Sequence, residues 1–325
     1  MQAAALRRAC EATTPTAWLP ANMTLPVKYL HVSNSGGQSA CGFVHAQHVS
    51  APSGRGCALK CGKCRSLAEC GGWNCLPTVE ASSCGELAQS VGAKRLRFFM
   101  TEQPLREMSW DGRWLCPQFR YVMIVKDPIR RVLSEVARLA PRSYKVAPDE
   151  LLRTWLAGRC PAHRPRAPRC LQQGFVLHDA PYHALMGTPA ISNYLSRMLL
   201  GPPAFFRSLV DEDHHRATCV LASFSLVVPL EELDEALRSG LFLQRVLGTA
   251  ESRVSDPRRP NAAPTPPTRL NYHELANANV SADTAQQLAA VNQLDLALVA
   301  YARQMWRMMV VTGSGITSSR AVSSP

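Results

Sequence analysis

Residues Tyr121–Leu139 read YVMIVKDPIRRVLSEVARL, and this stretch organises the rest of the chain. Tyr121-Val122-Met123-Ile124-Val125 is a short apolar run stopped by a polar pair, the pattern of a buried strand. Asp127 is a good helix N-cap, and Pro128 suits the first helical position because its missing N–H costs nothing there. Ile129, Val132, Leu133, Val136 and Leu139 then recur with the spacing of one apolar helix face. The stretch therefore predicts strand, tight turn, helix. Lys126 falls at the carboxyl end of the strand, and Arg131 and Ser134 fall three apart on one helical face. A cation and a hydroxyl at a helix start suit a phosphate, although basic residues near helix starts are also ordinary surface features.

Upstream, Val27–Val32 reads as a strand, followed by Ser33-Asn34-Ser35-Gly36-Gly37-Gln38-Ser39 and a helix from about Ser39 to His48. Strand, small-residue loop, helix is the arrangement in which backbone N–H groups approach an anion. By itself it is equally the description of an ordinary turn.

Together the two stretches carry a resemblance. Lys126-Asp127-Pro128-Ile129-Arg130-Arg131-Val132-Leu133-Ser134 resembles the 3′-phosphate motif of the Golgi carbohydrate sulfotransferases, Arg-x-Pro-x-x-Arg-x-x-Ser, and is closest to the heparan sulfate 6-O branch. His31 to Ser39 is similar to that family's 5′-phosphosulfate loop, His-Ile-x-Lys-Thr-Gly-Gly-Thr-Thr, and the two motifs stand in the family's order. Three positions depart from the pattern. Lys126 replaces an Arg and loses its planar fork. Gln38 replaces a hydroxyl residue, and Asn34 replaces the loop Lys that stabilises charge on the leaving phosphate.

The resemblance implies an α/β fold over residues 26–310: a P-loop-like sulfotransferase fold with a central parallel sheet, flanking helices and a cysteine-rich insertion over 50–86. It implies 3′-phosphoadenosine 5′-phosphosulfate as co-substrate, a carbohydrate acceptor and no metal. Ser35, Gly36, Gly37, Gln38, Ser39, Lys126, Arg131 and Ser134 would hold the nucleotide, with Arg197 carried over from the segment Ile191–Gly201. His45 is the expected general base, with His48 second; Glu102 is the alternative because a Glu serves in the 3-O branch. The piece Asn292-Gln293-Leu294-Asp295 also matches the family's closing helix. Catalysis is the first reading; a degenerate member that binds nucleotide or anionic glycan without turnover is the alternative, and Asn34 is its support. A P-loop kinase lacks its Gly-x-x-x-x-Gly-Lys-Ser/Thr signature here.

Composition bounds these readings. The chain has 325 residues, enough for one large α/β domain, and 36 Lys+Arg against 24 Asp+Glu give a formal charge of +12. That suggests an anionic partner, and the absence of basic-aromatic motifs argues against nucleic acid. Of 12 cysteines, Cys57, Cys61, Cys64, Cys70, Cys75 and Cys84 lie in one segment. Their number and tight spacing favour disulfides, hence the secretory pathway and Golgi lumen that the family implies. Cys61-x-x-Cys64 also has zinc-ligand spacing, but the second close pair of a structural zinc site is missing. Cys160 and Cys170 flank a Pro/Arg-rich run that they could close as a loop. Asn22 and Asn279 open glycosylation sequons.

Family relatives carry an N-terminal membrane anchor, and none is visible here, so a membrane partner is expected only if the sequence lacks its start. Residues 1–25 read as a loose segment, 255–268, with five prolines, as an exposed loop, and 311–325 as a flexible tail. Thr218–Leu221 through Phe224–Pro229 reads as a further buried strand, and about Ser281 to Met309 as one long closing helix.

Overall fold

The computed structural model describes residues 25–32, 37–47, 49–51, 84–101, 104–105, 115–159, 170–171, 186–187, 191–238, 242 and 280–318. The cysteine run from 57 to 75, Cys160, the asparagines of both sequons and the Pro-rich loop lie outside them.

The stretch 121–139 folds as its pattern predicts. Strand β3 spans Arg120–Val125 and helix α3 spans Pro128–Leu139. Asp127 caps α3, accepting the Arg130 N–H at 2.9 Å, with Pro128 in the first turn. Strands β1 (Val27–Leu30) and β2 (Phe98–Thr101) precede it, with α1 (Gly37–Ala46) and α2 (Cys84–Ala93) between them. Further along come α4 (Pro148–Leu156), the short pair β4 (Cys170–Leu171) and β5 (Met186–Gly187), α5 (Tyr194–Leu200) and α6 (Asp211–Ala222). The chain closes with β6 (Leu226–Pro229), α7 (Leu233–Arg238), α8 (Ala282–Ala290) and α9 (Gln293–Ser318).

The main sheet has four strands in the order β2-β1-β3-β6, and every pairing is parallel. Such a sheet is buried on both faces, which explains its near-continuous apolar strands. Side chains alternate. Leu30, Phe99, Tyr121, Met123 and Val227 join one core with α2, α5 and α6. Val27, Tyr29, Phe98, Val122, Ile124 and Val228 join a second core with α1 and α7. α9 packs along edge strand β6 and serves both: Leu298 to Met305 in the first core, Trp306 and Met309 in the second. A third cluster joins Val132 and Val136 of α3 to Leu151 and Trp155 of α4 and Leu288 of α8. Ile124 is fully buried, and truncating it to Ala would cost about 2–5 kcal/mol.

Cys84 and Cys116 form a disulfide with a sequence separation of 32, tying α2 to the approach of β3. Closing a loop of that size stabilises by about 3–4 kcal/mol through the denatured chain. Cys41 and Cys219 each belong to a further disulfide, not to one shared with each other.

Two expectations need correction. Residues 218–221 are not strand: they are the last turns of α6, and only Leu226–Pro229 extends. A short apolar run has no period that separates a buried helix end from a buried strand. The closing segment is two helices, broken at Val291 and Asn292, and the second extends to Ser318. The apolar stripe of Leu288, Val291, Leu294 and Leu298 runs across the break, which hid it.

Among the described residues, no helix is long and apolar enough to cross a membrane.

Candidate functional site

From β1 the chain passes to β2 on one side, whereas from β3 it passes to β6 on the other. The carboxyl ends of β1 and β3 therefore flank a point where the connections diverge, and a crevice opens there in open parallel sheets. A small pocket occupies this position. Val32 follows β1, Val125 and Lys126 end β3, Pro128 and Arg131 come from the start of α3, and Leu195 and Asp295 close it from α5 and α9.

Lys126 and Ser134 meet across the first turns of α3. The Lys126 Nζ–H donates to Ser134 Oγ at 2.9 Å, while Ser134 Oγ–H donates to the Arg130 carbonyl at 2.8 Å. The ammonium is thus held beside the first two turns of α3, where the helix dipole favours an anion. Pro128 has no N–H, and Asp127 already accepts those of Arg130 and Arg131. Arg131 lies beneath, buried, its guanidinium 4.4 Å from the Tyr194 ring centroid. Burial lowers its pKa, and the charges of Tyr194, Asp295 and Glu135 raise it again. An arginine so placed remains cationic.

Asp295 and Asn292 are 0 % exposed, an exceptional placement for such groups. Asp295 accepts the Leu195 N–H at 2.7 Å, the Ser196 N–H at 2.8 Å and the Ser196 Oγ–H at 2.6 Å. Asn292 Oδ1 accepts the Asn193 N–H at 3.0 Å, and its Nδ2 donates to the Ile191 and Leu288 carbonyls. In return, Asn193 Oδ1 accepts the N–H groups of Leu294 and Asp295 at 3.1 and 3.2 Å. Each helix start, α5 and α9, is capped by side chains of the other. Asn193 takes a left-handed conformation (φ 49°), which asparagine tolerates better than most residues. Burial pushes the Asp295 carboxyl up, and the hydrogen bonds from Ser196 and Leu195 together with the Arg131 charge pull it back down.

The structure brings Lys126, Arg131 and Ser134 together. Gly37, Gln38 and Ser39 lie in the first turn of α1, which follows β1. Asn34, Ser35, Gly36, His48 and Glu102 lie outside the described residues. His45 is exposed in the last turn of α1, about 12 Å along the helix from its start. Arg197 is held elsewhere: Nε donates to Ser192 O at 2.8 Å, and Nη1 donates to the carbonyls of Ala204 and Arg207. Burial lowers its pKa to about 10. It braces the chain on both sides of α5. Lys28 is buried on β1 with Nζ over the ring of Tyr121, its register partner on β3, 5.8 Å from the centroid.

Asp295 is the pocket residue that motif reading did not place at the site. Its signal in the sequence was a carboxylate next to Leu294 and three residues after Asn292, within an otherwise core-facing stripe. No family model matches the chain, and no curated protein matches it.

Proposed function

We propose that the protein transfers a sulfuryl group from 3′-phosphoadenosine 5′-phosphosulfate to a hydroxyl of a carbohydrate acceptor. The observation that carries this reading is the Lys126–Ser134 pair at the start of α3, beside the diverging ends of β1 and β3. The ammonium and the positive end of the α3 dipole attract a phosphate, and the same residues match the 3′-phosphate motif. The P-loop-like form of the α/β fold belongs to the same proposal.

When bound, the nucleotide supplies the sulfuryl group. Lys126 and Ser134 hold its 3′-phosphate, with Arg131 adding charge from below. The resemblance assigns residues 35–39 to the 5′ side, where backbone N–H groups would meet the phosphate that leaves. His45 or Glu102 takes the proton of the acceptor hydroxyl as its oxygen bonds to sulfur. Glu102 directly follows β2, whose carboxyl end lies on the same side of the sheet as Lys126; the position of His45 at the far end of α1 favours Glu102. The disulfides support a secretory compartment, the Golgi lumen in this reading.

Calorimetry with 3′-phosphoadenosine 5′-phosphate, with ATP in parallel, tests the site. Binding of the first and not the second is expected; binding of neither overturns the reading. Asn34 favours a second reading, binding without turnover, because a cation missing from a developing charge costs about 10²–10³ in rate. If the enzyme reading holds, Asn34→Lys raises turnover toward that margin.

A further inference from the structure

The turn from α2 into β2 is Lys94-Arg95-Leu96-Arg97. It ends α2 as a Schellman motif. The Arg95 N–H donates to Gly92 O at 2.9 Å, and the Leu96 N–H donates to Val91 O at 3.2 Å. Arg95 therefore sits at the left-handed position, with φ 53°. Glycine occupies that position without strain, so an arginine there keeps a side chain where the backbone favours none. Ser50 fixes the turn from the other side. Its Oγ–H donates to Arg95 O at 2.8 Å, and its carbonyl accepts the Arg97 and Phe98 N–H groups at 2.9 and 3.1 Å.

Lys94, Arg95 and Arg97 are all exposed, and none makes an ion pair among the described residues. Behind them Arg120 opens β3, its Nε and Nη2 both donating to Leu25 O at 3.2 Å. Burial first, and then the Arg97 charge, lower the Arg120 pKa to about 10. The helix dipole explains one cation at the end of α2, but Arg97 stands beyond the helix. This cluster is at the amino ends of β2 and β3. Lys126 is at the opposite end of β3, roughly 20 Å away along the strand.

We propose that the Lys94–Arg97 turn is a binding surface for a linear polyanion, a sulfated or carboxylated polysaccharide, separate from the nucleotide site. The three cations are exposed along one turn rather than gathered round a pocket, which suits charges spaced along a chain better than one enclosed phosphate. The aromatic neighbours Phe98 and Phe99 are buried, so among the described residues the turn offers no ring for a nucleobase to stack on. Only the choice of polysaccharide among polyanions rests on the proposed acceptor.

The test measures binding of the full chain to labelled dextran sulfate across a salt series, with single-stranded DNA and phosphatidylserine vesicles in parallel. The variant Lys94→Ser/Arg95→Gly/Arg97→Ser is expected to bind dextran sulfate at least tenfold more weakly. Its salt slope should fall by about 2, the counterion release of three lost contacts. Arg95→Gly alone is expected to keep or raise Tm while binding about threefold more weakly, which separates binding from folding. Unchanged affinity and slope would overturn the proposal, as would binding to DNA or vesicles through these residues at least as tight as to dextran sulfate. Binding of 3′-phosphoadenosine 5′-phosphate to the same variants is expected to be unchanged, and its absence in the wild-type protein bears on the nucleotide reading alone.

Discussion

Asn193 and Asp295 cap each other's helices: Asn193 Oδ1 accepts the Asp295 N–H at 3.2 Å, while the Asp295 carboxylate accepts the N–H groups of Leu195 and Ser196. One side-chain exchange thus fixes α5, α9 and the inner wall of the pocket. Asp295→Ala would strand three donors in a dry site and should destabilise by about 3–5 kcal/mol. Asp295→Asn keeps the shape but turns an amide toward one of the donors, and should cost less. Urea unfolding measures both, and a loss below about 1 kcal/mol for the alanine variant would mean that water replaces the carboxylate.

Asp213 and Arg207 form a two-pronged pair at 2.5 and 2.6 Å, and the Asp213 side chain is buried while Arg207 remains partly exposed. The hydrogen bonds from Arg207, then that from the Val210 N–H, hold the Asp213 carboxyl below its usual range. A depressed carboxyl pKa contributes stability that is present above the unfolded value, about 4, and is lost as pH falls through the folded value. Arg207→Met should therefore lower Tm at pH 7, and the two proteins should converge as pH drops below about 4. A gap in Tm that stays constant with pH would show that packing, not the charge pair, is what Arg207 provides.

At the proposed phosphate site, Lys126→Ala should weaken 3′-phosphoadenosine 5′-phosphate binding by about 10–100-fold, the worth of a charged hydrogen bond. Ser134→Ala removes the partner that holds Nζ in place and should weaken binding less, with little change in Tm. Lys126→Arg should retain or improve binding, since a planar fork suits phosphate. Equal affinities for all three variants, read by calorimetry, would separate the nucleotide from the start of α3.

The strand-turn-helix at 120–139 was legible because its signals are local: an apolar run, an N-cap, a proline, then a helical stripe. The α/β class followed from it. The roles of Asn193, Asn292 and Asp295 were not legible, because they depend on pairing between segments about a hundred positions apart, which no local pattern records. Arg197 shows the same limit. Its sequence neighbourhood suggests a ligand cation, but its Nε and Nη1 donate to backbone carbonyls on both sides of α5. Lys126 and Ser134 were found together because one local turn and helix, with the two residues eight positions apart, carries both the motif and the contact.

α9 lies against β6, an edge strand of the sheet, and carries half of the exchange that fixes α5. During synthesis both β6 and α5 leave the ribosome well before α9 does. Until α9 arrives, β6 offers an uncovered edge and α5 lacks its cap, the state in which parallel sheets pair wrongly with other chains. The edge strand and α5 therefore stay incomplete until α9 arrives, and chains halted before residue 293 would be substrates for chaperones.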